Sequence, residues 1–165
     1  FNQLFGQTFT IPKALVKIEG ASIMGLDNPK INMAKSAPSP NNYVSLLDSP
    51  DIIREKIKKA VTDSGKEVIS SPKKPALSNL LNIYAGFSGK SVPEAEKRFA
   101  GRGYADFKKE LAEVVISDLT PFQKKFHQLR QGDTILQQIL RNGAAAADRI
   151  AKDTLGKVKQ KMGLI

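Results

Sequence analysis

Tyr104-Ala105-Asp106-Phe107-Lys108-Lys109-Glu110-Leu111-Ala112-Glu113-Val114-Val115 opens the longest periodic stretch of the chain. Apolar side chains return at Tyr104, Phe107, Leu111, Val114, Val115, Leu119, Phe122 and Phe126, the spacing that lays one stripe along a helix. Such a stripe must be covered by other elements, so the stretch predicts a mainly α fold in which this helix is central. Pro121 interrupts it. Because proline lacks an N–H and its ring meets the carbonyl four residues back, a kink or break is predicted near Asp118. Glu110 and Glu113 are expected on the solvated face. His127 is the only histidine and stands beside Lys124 and Lys125, so it reads as a helix-surface residue with no second ligand for a metal set.

Working upstream, Ser91-Val92-Pro93-Glu94 has capping-box spacing and opens a helix that Phe99 and Gly101 close. Pro75 starts another, with Leu77, Leu80, Leu81 and Tyr84 on one stripe, running to Gly86. Ser64 to Pro75 is polar and proline-bearing, a linker. Ser49-Pro50-Asp51 carries three start signals: a capping serine, a proline where its missing N–H is harmless, and an early acid favoured by the helix dipole. Ile53, Ile57, Ala60 and Val61 form the buried face of that helix, and Arg54, Glu55, Lys56, Lys58 and Lys59 its solvated one. Downstream, Asp133 caps a helix bearing Ile135, Leu136, Ile139 and Leu140; Asn142-Gly143 predicts a pause before a last helix over 144–162. Five or six helices result.

At 165 residues, 41% hydrophobic and 25% charged, the composition is that of a folded chain with one sizeable core. The formal net charge of +10 points to polyanions, nucleic acid or nucleotide phosphates, as partners. Cysteine is absent, which excludes disulfides and thiolate metal sites and fits a reducing, cytoplasmic location. No apolar run approaches the ~20 residues that span a bilayer, so no membrane partner is expected. The basic C-terminal stretch sets Lys124, Lys125, Arg130, Arg141, Arg149, Lys152, Lys157, Lys159 and Lys161 against Asp133, Asp148 and Asp153. Gly86-Phe87-Ser88-Gly89-Lys90-Ser91 ends like a phosphate loop, but the first glycine such a loop requires falls on Tyr84 and a helix stands where a strand is needed, so it reads as a helix stop followed by a cap.

Two short β-favouring runs flank Gly20: Leu15-Val16-Lys17-Ile18, read as a strand, and Ala21-Ser22-Ile23-Met24. They fit either an isolated hairpin, marginal alone in water, or the end of a larger sheet, which is the better explanation. Beyond them Ile31-Asn32-Met33-Ala34-Lys35-Ser36 lies between Gly25 and Pro29 on one side and Pro38 and Pro40 on the other. This is a short polar loop carrying one cation and a hydroxyl. By residue type it is an ordinary connector or a mobile phosphate-binding loop.

Asn32-Met33-Ala34-Lys35-Ser36 resembles the Lys-Met-Ser-Lys-Ser signature of class I aminoacyl-tRNA synthetases. The resemblance, closest to the bacterial tryptophanyl branch, continues in order. It runs through Ser45-Leu46-Leu47-Asp48, Ala60-Val61-Thr62-Asp63-Ser64, Leu77-Ser78-Asn79-Leu80-Leu81-Asn82-Ile83-Tyr84 and Gly101-Arg102-Gly103-Tyr104 to Met162-Gly163-Leu164. It implies that residues 1–40 are the end of a Rossmann-type catalytic domain. Residues 41–165 would then be a helical, anticodon-binding domain: a helical bundle attached to a small β remnant. Phe1 to Thr10 reads as a loop, and the chain as the C-terminal portion of a larger protein.

The resemblance also implies chemistry. In these enzymes the amino-acid carboxylate attacks the α-phosphate of ATP, pyrophosphate leaves, and the adenylate is transferred to tRNA. Lys35 matches the second lysine of the signature and would stabilise charge on the departing pyrophosphate, with Ser36 hydrogen-bonding the phosphates. ATP would be held by Ile23, Asn32, Met33, Ala34, Lys35 and Ser36, with Ile23 and Met33 beside the adenine. Mg2+ would arrive with ATP, held by no residue of this chain. Asn32, Ala34 and Ala37 depart from the lysine, serine and aspartate common in the family, which puts one phosphate contact in doubt. Implied partners are tRNA(Trp), tryptophan through a part upstream of this chain, and a second copy in a homodimer. The chain alone is expected not to make the adenylate. The alternatives are a non-catalytic helical RNA- or partner-binding module with a degenerate loop, or another class I synthetase such as the tyrosyl enzyme.

Overall fold

The computed structural model describes residues 1–15 and 22–165. Six helices follow in order: α1 (Asn2–Phe5), α2 (Pro50–Lys59), α3 (Pro75–Ser88), α4 (Val92–Arg98), α5 (Tyr104–Gln131) and α6 (Asp133–Lys161). Two compact units arise, 16–124 and 1–15 with 125–165.

The core lies in the first of these. Leu77, Leu80, Leu81 and Tyr84 of α3 are buried, as are Phe107, Leu111 and Val115 of α5, so the apolar stripes seal the core. Tyr84, Phe99 and Phe107 meet edge-on where α3, α4 and α5 converge, with centroids 5.3 Å apart for Tyr84–Phe99 and 5.0 Å for Phe99–Phe107. The caps at Ser49 and Ser91 form as read; Asp133 does not cap, because α6 begins at Asp133 itself with Gly132 in the capping position and no side-chain bond. The Ser49 hydroxyl accepts the Ile52 N–H, and the Ser91–Glu94 capping box is complete. Gly89 ends α3 in the left-handed conformation at φ 67°, which makes Gly86 an internal helical residue and removes any phosphate loop from this segment.

Several expectations are corrected. α5 runs unbroken through Pro121. Proline deletes a single helical bond, while Leu119 is buried and the Gln123 amide donates to the carbonyls of Leu46 at 2.9 Å and Asp48 at 3.0 Å, so tertiary contacts hold the helix on both sides. α6 likewise continues through Asn142-Gly143, because one glycine costs only about 1 kcal/mol in a helix and four alanines follow it. Asn2–Phe5 forms a helical turn where a loop was expected, closed by Asn2, whose Oδ1 accepts the N–H groups of Thr8 and Phe9.

Lys56 leaves the solvated face of α2. It is buried, pairs with Asp48 at 2.7 Å and lies over the Tyr43 ring. Glu110 and Glu113 are not merely solvated either. Glu113 binds Arg54 at 2.7 Å, while Glu110 receives the Tyr84 hydroxyl at 2.9 Å and the Arg98 guanidinium at 2.5 Å. The stretch from Ser64 to Pro75, read as a linker, contributes Val68, 3% exposed, to the core.

Among the described residues there is no β-strand. One isolated antiparallel bridge joins Met24 to Asn32. The expected strand at Leu15-Val16-Lys17-Ile18 lies, beyond Leu15, outside the described residues, as does Ala21 of the second run.

Candidate functional site

The Met24–Asn32 bridge is a non-hydrogen-bonded pair: the hydrogen bonds beside it run from Gly25 N–H to the Ile31 carbonyl at 2.8 Å and from Met33 N–H to the Ile23 carbonyl at 2.9 Å. In that register the N–H and carbonyl of Met24 point away from Asn32, where a further strand would take them. Here the Asn79 side chain of α3 does so, accepting the N–H and donating to the carbonyl, both at 2.8 Å. The stem of the loop is thereby anchored to the core helix without a sheet.

Past the bridge the chain turns. Ala37 N–H donates to the Ala34 carbonyl at 3.0 Å, so Lys35 and Ser36 occupy the two central positions of a hydrogen-bonded turn, and both are exposed. Among the described residues the Lys35 ammonium has no ion-pair or hydrogen-bond partner. The turn is held from below by Asn42, which is 0% exposed. Its Oδ1 accepts the Ala34 N–H at 2.9 Å, and its Nδ2 donates to Asp27 Oδ1 at 3.1 Å. The Ser39 hydroxyl, and then the Asn42 amide with nearby backbone N–H groups, hold the Asp27 carboxyl below its ordinary value against a smaller opposing effect of burial.

The loop has two sides. Ile23 and Met33 face inward, lining an apolar cavity of about 400 Å³ with Leu26, Val44, Ile83 and Phe87; Lys35 and Ser36 do not line it. Asn32 is exposed and its Oδ1 accepts the Ser22 hydroxyl at 3.2 Å. The structure therefore gathers all six candidate residues into one loop, with its cation outward and its apolar members inward. His127 stands exposed on α5 with its ring 5.6 Å from Phe126.

The sequence pattern of the tRNA synthetases class I (W and Y) family matches residues 1–120. The chain belongs to that family.

Within the class I synthetases, the chain is 48% identical over 166 residues to the tryptophan–tRNA ligase of Caldanaerobacter subterraneus subsp. tengcongensis, covering 100% of this chain and 50% of that protein. To the tryptophan–tRNA ligase of Helicobacter pylori it is 46% identical over 165 residues, again covering 100% of this chain and 50% of the relative. The chain thus spans about half the length of the curated relatives it matches. The tryptophanyl-tRNA synthetase of Mycoplasma pneumoniae shares the fold with a TM-score of 0.86 at 24% identity, over 98% of this chain and 49% of that one. That of Campylobacter jejuni, solved with ADP and tryptophan, gives 0.68 at 30% identity, over 98% and 50%.

Two site features escape a sequence reading centred on the synthetase signature. Asn42 and Asn79 carry no charge, and although Asn79 lies in the resembling stretch Leu77 to Tyr84, no role followed for it there. The only local hint was the Asn41-Asn42 pair directly after Pro40, a composition that favours side-chain to backbone bonding.

Proposed function

We propose that this chain is the C-terminal part of a tryptophan–tRNA ligase, supplying the ATP-phosphate loop and the tRNA-binding helices for tryptophan activation and transfer to tRNA(Trp). The observation that carries the reading is the exposed Lys35 ammonium, without a partner among the described residues, at the tip of a turn whose base is pinned and whose apolar side faces inward.

The physical demand is charge stabilisation late in the reaction. When the tryptophan carboxylate attacks the α-phosphate, the bond to the bridging oxygen breaks and negative charge gathers on pyrophosphate. A cation on a turn can follow that charge, binding the transition state more tightly than bound ATP. Ser36 adds a hydroxyl donor. Ile23 and Met33 border the adenine, mainly through backbone groups, with Asn32 and Ala34 beside them in the ATP site. Mg2+ belongs to the ATP phosphates in this reading, and no residue of this chain is asked to ligate it.

The functional division falls at 40/41. Residues 1–40 complete a Rossmann-type nucleotide domain, and 41–165 engage the tRNA through the cations of the C-terminal stretch. The full-length enzyme is a cytoplasmic homodimer in this reading; no helix among the described residues is long and apolar enough to cross a membrane.

The test is tryptophan-dependent ATP–pyrophosphate exchange by the full-length protein. Losing one charge-assisted phosphate contact of about 1.5–3 kcal/mol lowers the rate by about tenfold to a hundredfold in Lys35→Ala. Unchanged nucleotide turnover in that variant would leave the non-catalytic module as the better reading.

A further inference from the structure

Asn42 is tied into the loop through both its side chain and its backbone. It is fully buried, its amide spans from Asp27 to the Ala34 N–H, its backbone carbonyl accepts the Leu26 N–H at 2.9 Å, and its N–H donates to the Ser39 carbonyl at 3.1 Å. Gly25 is shaped around it: a Cβ there would lie 2.0 Å from Asn42 Nδ2. Every bond of the amide therefore joins a segment entering the loop to one leaving it. Ala34 is the residue directly before Lys35, and its N–H is the last backbone group held before the exposed turn.

We propose that Asn42 is a positioning residue for Lys35: its buried amide fixes the base of the Ala34–Ala37 turn, and so the place from which the ammonium reaches the leaving phosphates. The proposal rests on the reading of Lys35 given above. A lysine side chain has many rotamers, so the reach of its ammonium is set by its backbone; the Ala34–Ala37 bond closes the turn that carries it, and the Asn42 amide ties the base of that turn to the core. Asn42 touches no reacting atom. It acts by keeping Lys35 in register, and its removal lowers turnover rather than amino-acid binding.

The experiment measures tryptophan-dependent ATP–pyrophosphate exchange by the full-length protein in a double-mutant cycle of Lys35→Ala and Asn42→Ala, with the KM for tryptophan as the second readout. Loss of a neutral hydrogen bond with the register it holds predicts a fall of about tenfold in kcat for Asn42→Ala and a tryptophan KM within about twofold of the parent. In the Lys35→Ala background the same change has no further effect, because the two residues act as one unit.

An undiminished kcat, or an equal fall in both backgrounds, overturns the proposal. A parental rate in Lys35→Ala overturns the functional reading itself and this inference with it, so the two failures are separable. If Asn42→Ala does not fold, Asn42→Asp decides. It keeps an acceptor for the Ala34 N–H but opposes Asp27, and adding Asp27→Asn restores the bond between the two positions. Asn42→Asp alone is expected to lose activity and the exchanged pair to regain the parental kcat; a folded exchanged pair with a depressed kcat refutes the positioning role.

Discussion

Asn79 reads both polar groups of the Met24 backbone, with its amide oxygen on the N–H and its amide nitrogen on the carbonyl, each at 2.8 Å. A side chain on a helix here takes the place of a neighbouring β-strand, completing a part-buried ladder edge that would otherwise be unpaired. The pair lies 55 residues apart in sequence, so it also ties the entrance of the loop to the helical core.

Asn79→Ala strands two backbone groups at once. An unsatisfied group costs about 1–3 kcal/mol when fully buried, and these two are part-buried, so the variant is expected to lose about 2–4 kcal/mol in urea unfolding. Asn79→Asp retains the acceptor for the N–H but turns a carboxylate toward the Met24 carbonyl, and is expected to be no better. A loss below about 0.5 kcal/mol, the range of ordinary surface changes, would remove this anchor from the account.

Gly25 is glycine for space rather than for backbone freedom, since an added Cβ would meet Asn42 Nδ2 at 2.0 Å and the Asn28 carbonyl at 3.1 Å. Gly25→Ala must expel the Asn42 amide, at about 1–3 kcal/mol for overpacking, with its two hydrogen bonds lost in addition. Because both changes act through one side chain, the Gly25→Ala/Asn42→Ala double variant should be more stable than the sum of the singles by about 0.5–3 kcal/mol. Strict additivity in denaturant titrations is the contrary result.

Glu110 joins α3, α4 and α5. Burial alone would raise its carboxyl, but the Arg98 guanidinium and the Tyr84 hydroxyl outweigh burial and hold it below the ordinary 4.5. A carboxyl with a depressed folded value contributes stability that is complete above 4.5 and is lost as pH falls through the folded value. Unfolding free energy measured from pH 7 downward should therefore decline below about pH 4.5 by a smaller amount in Glu110→Gln than in the parent. Parallel curves would deny Glu110 this role.

Lys56 and Asp48 form an ion pair at 2.7 Å with side chains only 11% and 14% exposed, and Asp48 also accepts the Ser45 N–H at 2.9 Å. Removing one partner leaves the other charge poorly solvated. Lys56→Met is expected to destabilise by about 3 kcal/mol, and Lys56→Met with Asp48→Asn to recover most of it. Melting curves that rank the double variant below the single would contradict this.

The local grammar of this chain was legible without coordinates. Ser49, Ser91 and Glu94 cap helices because capping involves groups within three residues of each other, and Phe107, Leu111, Val115 and Leu119 are buried together because helical geometry lines up residues three and four apart. The Lys35 turn was legible for the same reason. It is bounded by prolines and polar residues, and a hydrogen bond between Ala34 and Ala37 closes it.

What tertiary structure decided concerns partners far apart in the chain, for which a sequence has no period. Pro121 and Gly143 were read as interruptions on local propensity, and α5 and α6 run through both; at Pro121 contacts made elsewhere by Leu119 and Gln123 outweigh one missing bond. Lys56 looked like its lysine neighbours until Asp48 and Tyr43 folded over it, and Val68 looked like linker until the core closed on it. Asn42 and Asn79 are ordinary polar residues in one dimension. Burial makes them structural, because a buried amide must satisfy both its oxygen and its nitrogen, and only the folded chain brings Ala34, Asp27 and Met24 within reach.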